Sequence, residues 1–344
     1  MTALAPQVVA LDPLSDDAAT GIVVPFHNAA FRELFPDRED AGFGEFKARF
    51  AAPEMETRFF GAIEGDGGLA GLCVVRLWVD GTNEHLLFVQ ILVRPDRRRT
   101  GIGILLLERA TELAEARGRS MVMTDTFDIV PAGACFAVAV GADVGIREHV
   151  SRVAVPRINT VALRSWADEG FRRAVDSDLI RWTDGYPDAR LGDVAALFVM
   201  ADEDMPFEDA AFEPITETAE SLKMRLDASK PFVERVTTVA VHRSSGQLVG
   251  FSELIRRRSD TSTLFTSLTT VHRDHGGRGL GKWMKSDVIT AAIARFPDTK
   301  HLQTENAFSN TAMLAINDAI GFVPQYTLAS YQLATEKVRR YLDR

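Results

Sequence analysis

The sequence contains few of the residues that build disulfide frameworks or metal sites. It has two cysteines, Cys73 and Cys135, each in an apolar stretch, and its seven histidines form no HExxH or His-x-His pattern. Buried, reduced thiols and no metal site are therefore expected. No apolar run reaches the roughly 18 residues that a membrane span needs. The N-terminus also lacks the basic and apolar regions of a signal peptide, so we expect a cytoplasmic protein that does not enter a membrane.

An excess of positive charge is also missing. The net charge is −9 and the pI is near 5.4, which argues against nucleic acid as the main partner, because binding phosphates requires a basic surface. A cationic or small neutral substrate remains compatible with this charge. The 344 residues suffice for two cores of about 150 residues each, and either a monomer or a homodimer is expected.

One turn occurs twice. VRPDRRRTGIG at residues 93–103 and VHRDHGGRGLG at residues 271–281 each follow three strand-like runs and open a helical pattern. In both halves a short strand and a second helix follow. The repetition predicts two tandem domains, residues 1–168 and 176–344. Each is predicted to be an α/β (α+β) domain in which helices flank a mixed, largely antiparallel sheet.

A glycine turn between a strand and a helix presents backbone N–H groups at the helix start, where a phosphate can bind. A plain tight turn is the alternative, and the repetition makes it less favoured. Gly276 to Lys282 fits G-x-x-x-x-G-K, but Trp283 stands where a P-loop needs Ser or Thr. Neither turn gives G-x-G-x-x-G, so a P-loop and a dinucleotide fold are both disfavoured.

The first turn resembles the V-x-P-x-x-[QR]-x-x-G-x-[GA] signature of the GNAT acyltransferase superfamily. The matching residues are Val93, Pro95, Arg98, Gly101 and Gly103. The second copy keeps Val271, Gly279 and Gly281, but it has Arg273 for Pro and Gly276 for the basic or amide residue, with Arg278 as another source of charge. The whole chain is thus similar to the tandem GNAT arrangement.

This resemblance implies that acyl-CoA, as acetyl-CoA, inserts between the fourth and fifth strands of a domain, with its pyrophosphate on the turn. It implies contacts to the donor from Val93, Arg98, Arg99, Thr100, Gly101, Ile102 and Gly103, and from Val271, Gly276, Gly277, Arg278, Gly279, Leu280 and Gly281. A backbone N–H of the fourth strand would polarise the thioester carbonyl. Asn306 and Asn310, in TENAFSN, would meet the pantetheine arm.

The two copies differ in what they retain. The second keeps Asn306, Asn310 and Gly321-Phe322 of the family pattern, whereas the first has the better turn. The tyrosine that the family often uses as general acid corresponds to Asn317 here, and to about Ala137 in the first copy. We therefore predict catalysis in the second domain, with the first binding CoA structurally or having lost catalysis.

Few residues offer a general base. Glu305, at the end of the fifth strand of the second copy, is one candidate, with a solvated strand end as the alternative. Glu253, in FSELI, is the other, unless it pairs with Arg256 or Arg258. His272 is expected at the surface or near the phosphate rather than as a base.

An acidic run, ADEDMPFEDAAFEP, contains Asp202 and Asp204. We expect either a solvated loop or a collar that attracts a cationic amine substrate. The predicted function is an N-acetyltransferase that moves an acetyl group from acetyl-CoA to a small amine, such as an aminoglycoside-like compound, an amino sugar or a peptide metabolite. The alternatives are a non-catalytic or regulatory acyl-CoA-binding protein and transfer to a protein amine.

Overall fold

The computed structural model describes residues 6–36, 39–52 and 54–344. The chain forms two compact units. Unit 1 comprises the described residues up to Arg147 with Phe207–Glu213 and Thr327–Arg344, and unit 2 comprises Glu148–Pro206 and Pro214–Tyr326. This division differs from the predicted one between residues 168 and 176, because the chain leaves unit 1 at residue 147, returns to it for residues 207–213, and returns again at residue 327.

The predicted order of strands and helices is present in both halves of the chain. The first half contains β1 (Gln7–Leu11), α1 (Asp17–Leu34), α2 (Phe43–Phe50), β2 (Met55–Ile63), β3 (Leu69–Trp78), β4 (Leu86–Val93), α3 (Ile102–Ala116), β5 (Met121–Phe127) and α4 (Ala132–Val140). The second contains β6 (Asp143–Ala154), α5 (Thr160–Arg173), β7 (Ser177–Thr183), α6 (Leu191–Glu203), α7 (Ala219–Ser229), β8 (Val233–His242), β9 (Leu248–Arg257), β10 (Asp260–Val271), α8 (Leu280–Arg295), β11 (His301–Ala307), α9 (Thr311–Ile320), β12 (Val323–Ala334) and α10 (Thr335–Leu342).

The two units have the same sheet topology. In unit 1 the order is β1-β2-β3-β4-β5-β12, and only the β4–β5 pair of these neighbours is parallel. In unit 2 the order is β7-β8-β9-β10-β11-β6, and only the β10–β11 pair is parallel. This confirms the predicted mixed, largely antiparallel sheets flanked by helices. Unit 1 takes its sixth strand from the C-terminal part of the chain.

Alternating side chains of the central strands build a core on each face of each sheet. In unit 1, Cys73 and Val75 of β3 pack with α3, whereas Leu72 and Val74 pack with α1 and α2. Unit 2 repeats this arrangement, with one core against α8 and the other against α6 and α7. Cys73 is buried as expected, but the same expectation for Cys135 is wrong, because that cysteine lies exposed on α4.

Two structural features bear on the class of protein: membrane-spanning helices and clusters of metal-binding side chains. Within the described ranges, no helix combines the length and apolarity of a membrane span. Nor do three or more His, Cys, Asp or Glu side chains of those ranges gather in a way that could hold a metal ion.

Candidate active site

The two glycine turns follow the same backbone path. Arg98 and Gly276 both have φ −65°, with ψ 152° and 169°. The next residues, Arg99 and Gly277, have φ 65° and 73°. The residues that precede α3 and α8, Gly101 and Gly279, are left-handed at φ 92° and 83°. Only Arg99 adopts this region with a side chain, which is an uncommon conformation, so the first turn carries backbone strain that glycine relieves in the second.

Each turn delivers the N–H groups of a helix start. Helices α3 and α8 begin at Ile102 and Leu280, directly after the left-handed glycines, and their first N–H groups have no partner within the helix. Ile102 and Leu280 themselves are buried, 3% and 1% exposed, and anchor these starts in the cores. The N–H groups and the helix dipole suit an anion such as a pyrophosphate.

Some of the polar side chains of the first turn already have hydrogen-bond partners. Arg98 donates to the Glu33 carboxylate at 2.8 and 2.5 Å, and to the Val93 carbonyl at 3.2 Å. The hydroxyl of Thr100 donates to the Arg97 carbonyl at 2.7 Å. Arg99 is exposed, and no ion pair involves it within the described ranges. An anion here would therefore meet Arg99 directly, whereas Arg98 would first have to leave Glu33.

In the second turn, Arg278 is held by neighbours. It donates to Asp176 at 2.7 Å and contacts the Nδ1 of His275 at 2.6 Å. The hydrogen bond from Arg278 lowers the pKa of Asp176. Burial, followed by the charge of Arg278, lowers the pKa of His275, so this histidine is neutral near pH 7 and adds no charge to the turn. His272 caps the 3₁₀ turn that precedes Gly276 by accepting from the Asp274 N–H.

Helix α5 covers part of the second turn. A Cβ on Gly279 would lie 3.6 Å from the Cα of Gly170, and Arg173 donates to the Gly277 carbonyl at 2.7 Å. By contrast, a Cβ on Gly101 would meet no atom within 4 Å. The first turn is therefore the more open of the two.

In both units the parallel strand pair separates after three residue pairs. In unit 1 the pairing runs from Leu86–Met121 to Phe88–Met123, and in unit 2 from Thr263–His301 to Phe265–Gln303. Beyond these points the fourth and fifth strands leave unpaired edges that face each other. An extended ligand can enter such a gap.

Only unit 2 has an irregularity in its fourth strand at this gap. The pairing of β10 with β9 shifts register between Thr266 and Leu268, so Ser267 has no partner on β9. In unit 1 the β3–β4 pairing runs from Gly71–Val93 to Arg76–Phe88 without a shift. A bulge leaves one residue outside the ladder, and here that residue is Ser267, which lies exposed at the gap of unit 2.

Two neighbouring side chains of β11 point to opposite faces at the same gap. Leu302 packs in the core with α8, so Asn306, four residues on, lies on that face, and Glu305 lies on the opposite face. Glu305 is exposed and Asn306 is half-buried. The second turn, which leads into α8, and Asn306 therefore share one face of the unit 2 sheet, and Glu305 lies on the other face.

Asn306 is held by Asn317, which is held in turn by Lys285, a residue that the sequence did not single out. The Asn317 Nδ2 donates to the Asn306 Oδ1 at 2.6 Å, and the Lys285 Nζ donates to the Asn317 Oδ1 at 2.7 Å. Lys285 and Asn317 are only 2% and 3% exposed. Burial lowers the pKa of Lys285 to about 8. Lys285 reads as an ordinary polar residue of an amphipathic helix, and only the contact with α9 distinguishes it.

We expect Lys285 to make unit 2 more stable as the pH rises. Unfolding restores its ordinary pKa of about 10.4, so between that value and the folded pKa of about 8 the unfolded chain binds the additional proton. The free energy of unfolding, relative to Lys285→Met, should increase by about 2 kcal/mol between pH 7.5 and pH 9.5. Urea unfolding monitored by tryptophan fluorescence measures this difference in free energy, because Trp166, Trp182 and Trp283 lie in unit 2. A flat difference across this range would contradict the prediction.

The other predicted base, Glu253, is 2% exposed. Its Oε2 accepts from the Tyr186 hydroxyl at 2.7 Å and from Thr237 at 2.8 Å, with the Arg235 Nη1 at 3.9 Å. The alternative pairing with Arg256 or Arg258 is wrong, because both arginines bind Glu234. Burial first, then the Glu253 charge, raises the pKa of Tyr186, so Tyr186 stays protonated and donates. Glu253 thus serves as the acceptor of a buried network.

Asp202 and Asp204, predicted to attract the substrate, both have partners. Asp202 accepts from the Ile215 N–H at 2.8 Å, and burial raises its pKa. Asp204 accepts from Arg273 of the second turn at 2.8 Å, together with Glu203 at 3.0 Å. These carboxylates stabilise the loop and the turn, and their role toward an amine stays a prediction.

Asn310 is the N-cap of α9. Its Oδ1 accepts from the Met313 N–H at 3.2 Å, which is the bond that makes Asn a favoured N-cap. Its carbonyl oxygen is therefore committed to the helix, and only its amide nitrogen remains for a ligand.

Unit 1 has its own strand carboxylate, which the sequence analysis missed. Asp125 occupies the place in β5 that Glu305 has in β11, since Met121 and His301 begin the matched pairings. The Ser330 hydroxyl donates to Asp125 at 2.5 Å, and burial raises the pKa of this carboxyl. An alignment of RSMVMTDT with KHLQTEN would have revealed it.

The comparisons with known proteins agree with this fold. Residues 23–132 match the acetyltransferase (GNAT) family, and no curated protein sequence matches the chain. A tandem GNAT protein from the clavulanic acid biosynthesis pathway, solved without acetyl-CoA, is similar over 96% of this chain and 98% of its own, with TM-score 0.77 and 23% identity.

Two further solved structures are similar over most of the chain. A GCN5-related N-acetyltransferase from Sphaerobacter thermophilus covers 96% of this chain and 95% of its own, with TM-score 0.64 and 16% identity. Saccharomyces cerevisiae N-myristoyltransferase with bound myristoyl-CoA covers 96% and 80%, with TM-score 0.60 and 11% identity. In fold the chain is a tandem GNAT protein, and its residues 23–132 match that family in sequence.

Proposed function

We propose that this tandem GNAT protein is an acyl-CoA-dependent N-acyltransferase whose unit 2 moves an acetyl group from acetyl-CoA to an amine of a small molecule. The observation that carries the proposal is the combination, in unit 2 alone, of a strand gap with a bulge at Ser267. The gap can take an extended donor, and the bulge would turn a backbone N–H toward a carbonyl at its edge. The GNAT family match and the GNAT fold support acyl transfer in general.

The donor is proposed to enter from the α8 side. Its pyrophosphate would bind the N–H groups of Gly277, Gly279 and Gly281, and its pantetheine arm would lie between β10 and β11 beside Asn306. An acyl-CoA carries several negative charges, so binding at a helix N-terminus is favourable. Arg278 would be available if the anion drew it from Asp176, which now accepts from it at 2.7 Å.

The chemistry requires one proton acceptor and one donor to the developing oxyanion. We propose that Glu305 accepts one proton of the acceptor's ammonium group, so that the neutral amine nitrogen forms the new C–N bond in a tetrahedral intermediate. As this intermediate collapses and the C–S bond breaks, the nitrogen releases its second proton to solvent. The backbone N–H at Ser267 or Leu268 would stabilise the negative oxygen of the tetrahedral intermediate. The thiolate of CoA leaves and takes its proton from solvent, because Asn317, held by Lys285, stands at the place of the family's tyrosine.

Unit 1 is proposed to bind an acyl-CoA without transferring its acyl group. Its turn is open and carries Arg99, which favours binding. Its fourth strand has no register shift against β3, and its strand carboxylate, Asp125, is hydrogen bonded to Ser330 and has a raised pKa. A half-buried carboxyl group that already accepts from Ser330 is less accessible to an amine than the exposed Glu305.

The acceptor is proposed to be a cationic amine of low molecular mass, such as an aminoglycoside-like compound, an amino sugar or a peptide metabolite. The net charge of −9 and the exposed Glu305 favour a positively charged acceptor.

A second candidate function is a non-catalytic acyl-CoA sensor. Two features of the chain favour it. Arg98 and Arg278 are both held by carboxylates, and Asn317 stands where the family often has a tyrosine. A sensor would bind acyl-CoA in either unit but release no CoA in the presence of amines.

Matched substitutions at equivalent turn positions separate these functions. Gly103 and Gly281 have ordinary φ angles, and a Cβ would lie 3.4 Å from the Phe136 ring and from the Val271 Cγ2, so Glu fits at both with small shifts. We expect Gly281→Glu to weaken acetyl-CoA binding in unit 2 by about 10- to 100-fold, through like-charge repulsion of the pyrophosphate, and to stop amine-dependent CoA release. Calorimetry with acetyl-CoA and a thiol assay over an amine panel measure both.

Gly103→Glu is the control. It should remove a separate binding event and leave CoA release unchanged. Loss of release from Gly103→Glu alone would move catalysis to unit 1, and binding without release for every amine would support the sensor. No binding of acetyl-CoA to the wild-type chain would overturn both functions.

A further inference from the structure

Three side chains from three elements of unit 2 form a buried hydrogen-bonded chain. Lys285 of α8 donates to Asn317 of α9, which donates to Asn306 of β11, with heavy-atom distances of 2.7 and 2.6 Å. The Met313 Sδ lies 3.5 Å from the Lys285 Nζ. Burial lowers the pKa of Lys285, and no ion pair among the described residues involves this side chain. A buried lysine without a counter-ion is unfavourable for stability, which indicates another role.

The chain of hydrogen bonds has a fixed direction. An ammonium group has three donors and no acceptor, and with a pKa of about 8 Lys285 is mostly protonated at pH 7. Lys285 can therefore bind only the oxygen of the Asn317 amide. The Asn317 nitrogen must then face Asn306, and it can bind only the Asn306 oxygen. The Asn306 Nδ2 is the remaining donor, at the edge of the gap between β10 and β11.

We propose that Lys285 is a positioning residue that acts through Asn317, fixing the Asn306 amide so that its N–H₂ group donates to a carbonyl of the pantetheine arm of acyl-CoA. This inference rests on the proposed function of unit 2. The arm's amides offer carbonyl oxygens, whereas a flipped Asn306 would present its own oxygen to them and repel. Asn306 lies on the same face as α8 and is half-buried beside the strand edges that separate after Phe265–Gln303.

Asn317→Asp reverses the chain without removing a partner. One carboxylate oxygen still accepts from Lys285, and the other replaces the Nδ2 and can only accept, so Asn306 must turn its nitrogen inward. We expect acetyl-CoA to bind unit 2 about tenfold more weakly, the factor that corresponds to one hydrogen bond of about 1.4 kcal/mol. KM for acetyl-CoA should rise by the same factor, with a smaller change in kcat. The urea midpoint should stay the same or rise, because Lys285 gains a counter-ion.

A purely structural role would move stability and affinity in the same direction, so opposite changes are diagnostic. Gln325→Glu, an exposed amide-to-carboxylate change in the same unit, controls for charge and should leave both unchanged. Lys285→Met is a second test, because it removes the donor that fixes the orientation of Asn317. Binding of acetyl-CoA should then weaken two- to tenfold. Unchanged acetyl-CoA affinity in a folded Asn317→Asp chain, or in Lys285→Met if the former does not fold, overturns the inference. Failure of the proposed function is distinct, because the wild-type chain would then lack the binding event that Gly281→Glu removes.

Discussion

Glu305→Gln is expected to lower kcat/KM for the amine acceptor by about 100- to 1,000-fold, the range that a general base contributes. Glu305 is exposed on the face of β11 opposite to α8, so the amide replaces it without disturbing a core. Because the turn and Asn306 lie on the other face, acetyl-CoA affinity should change by less than about twofold. Steady-state release of CoA across amine concentrations, with calorimetry for the donor, measures both quantities.

Two carboxylates control this experiment. Glu148 of β6 pairs in register with Ala307 of β11 and lies on the same face as Glu305, so Glu148→Gln tests a nearby loss of charge and should keep full activity. Asp125→Asn makes the equivalent change in unit 1. If Asp125→Asn stops turnover and Glu305→Gln does not, unit 1 carries out the transfer and the assignment of the two units is reversed.

The sequence predicted those parts of the fold that depend on local patterns. The three strand-like runs before each turn are separated by Gly and Asp turns, and they form β2–β4 and β8–β10. Gly101 and Gly279 precede helices at left-handed angles that only glycine adopts readily. These features need only neighbours in sequence, and a single chain displays them without an alignment.

The addition of the C-terminal strand β12 to the sheet of unit 1 could not be predicted in the same way. Residues 328–334 of β12 pair with β5, which lies some 200 positions earlier in the chain. Leu333, for example, pairs with Val122. Both sequences look like ordinary strand-forming runs, and neither contains a feature that identifies the other strand as its partner. The predicted boundary between residues 168 and 176 instead falls at the end of α5, which runs to Arg173.

Charged site residues were found by type, but their partners were not. Arg98 and Arg278 stood out as phosphate ligands, yet Glu33 and Asp176 bind them across 65 and 102 residues. Lys285 was missed because a lysine in an amphipathic helix is usually solvated. Its burial follows from the packing of α8 against α9, which brings Asn317 within 2.7 Å of its Nζ. Tertiary contacts thus decide which charges remain available to a ligand.

Deletion of Ser267 is expected to lower kcat by about 100- to 1,000-fold, as the loss of one oxyanion donor does, while the fold and the binding of acetyl-CoA persist. Ser267 is the extra residue of the bulge, since Thr266 pairs with Leu254 and Leu268 with Glu253. Its removal gives β10 the regular pairing that β4 already has with β3, so the residues on both sides keep their faces. Single-turnover measurement of acetyl transfer at saturating donor reports the chemical step.

Ser267→Ala separates the backbone from the side chain. Ser267 is exposed, so the alanine variant removes the hydroxyl and keeps the bulge, and its kcat should stay within about threefold of wild type. If Ser267→Ala is as slow as the deletion, the hydroxyl rather than the backbone N–H acts in the reaction. If both variants are fully active, the bulge has no part in transfer, and the difference between the fourth strands of the two units no longer favours unit 2 as the catalytic one.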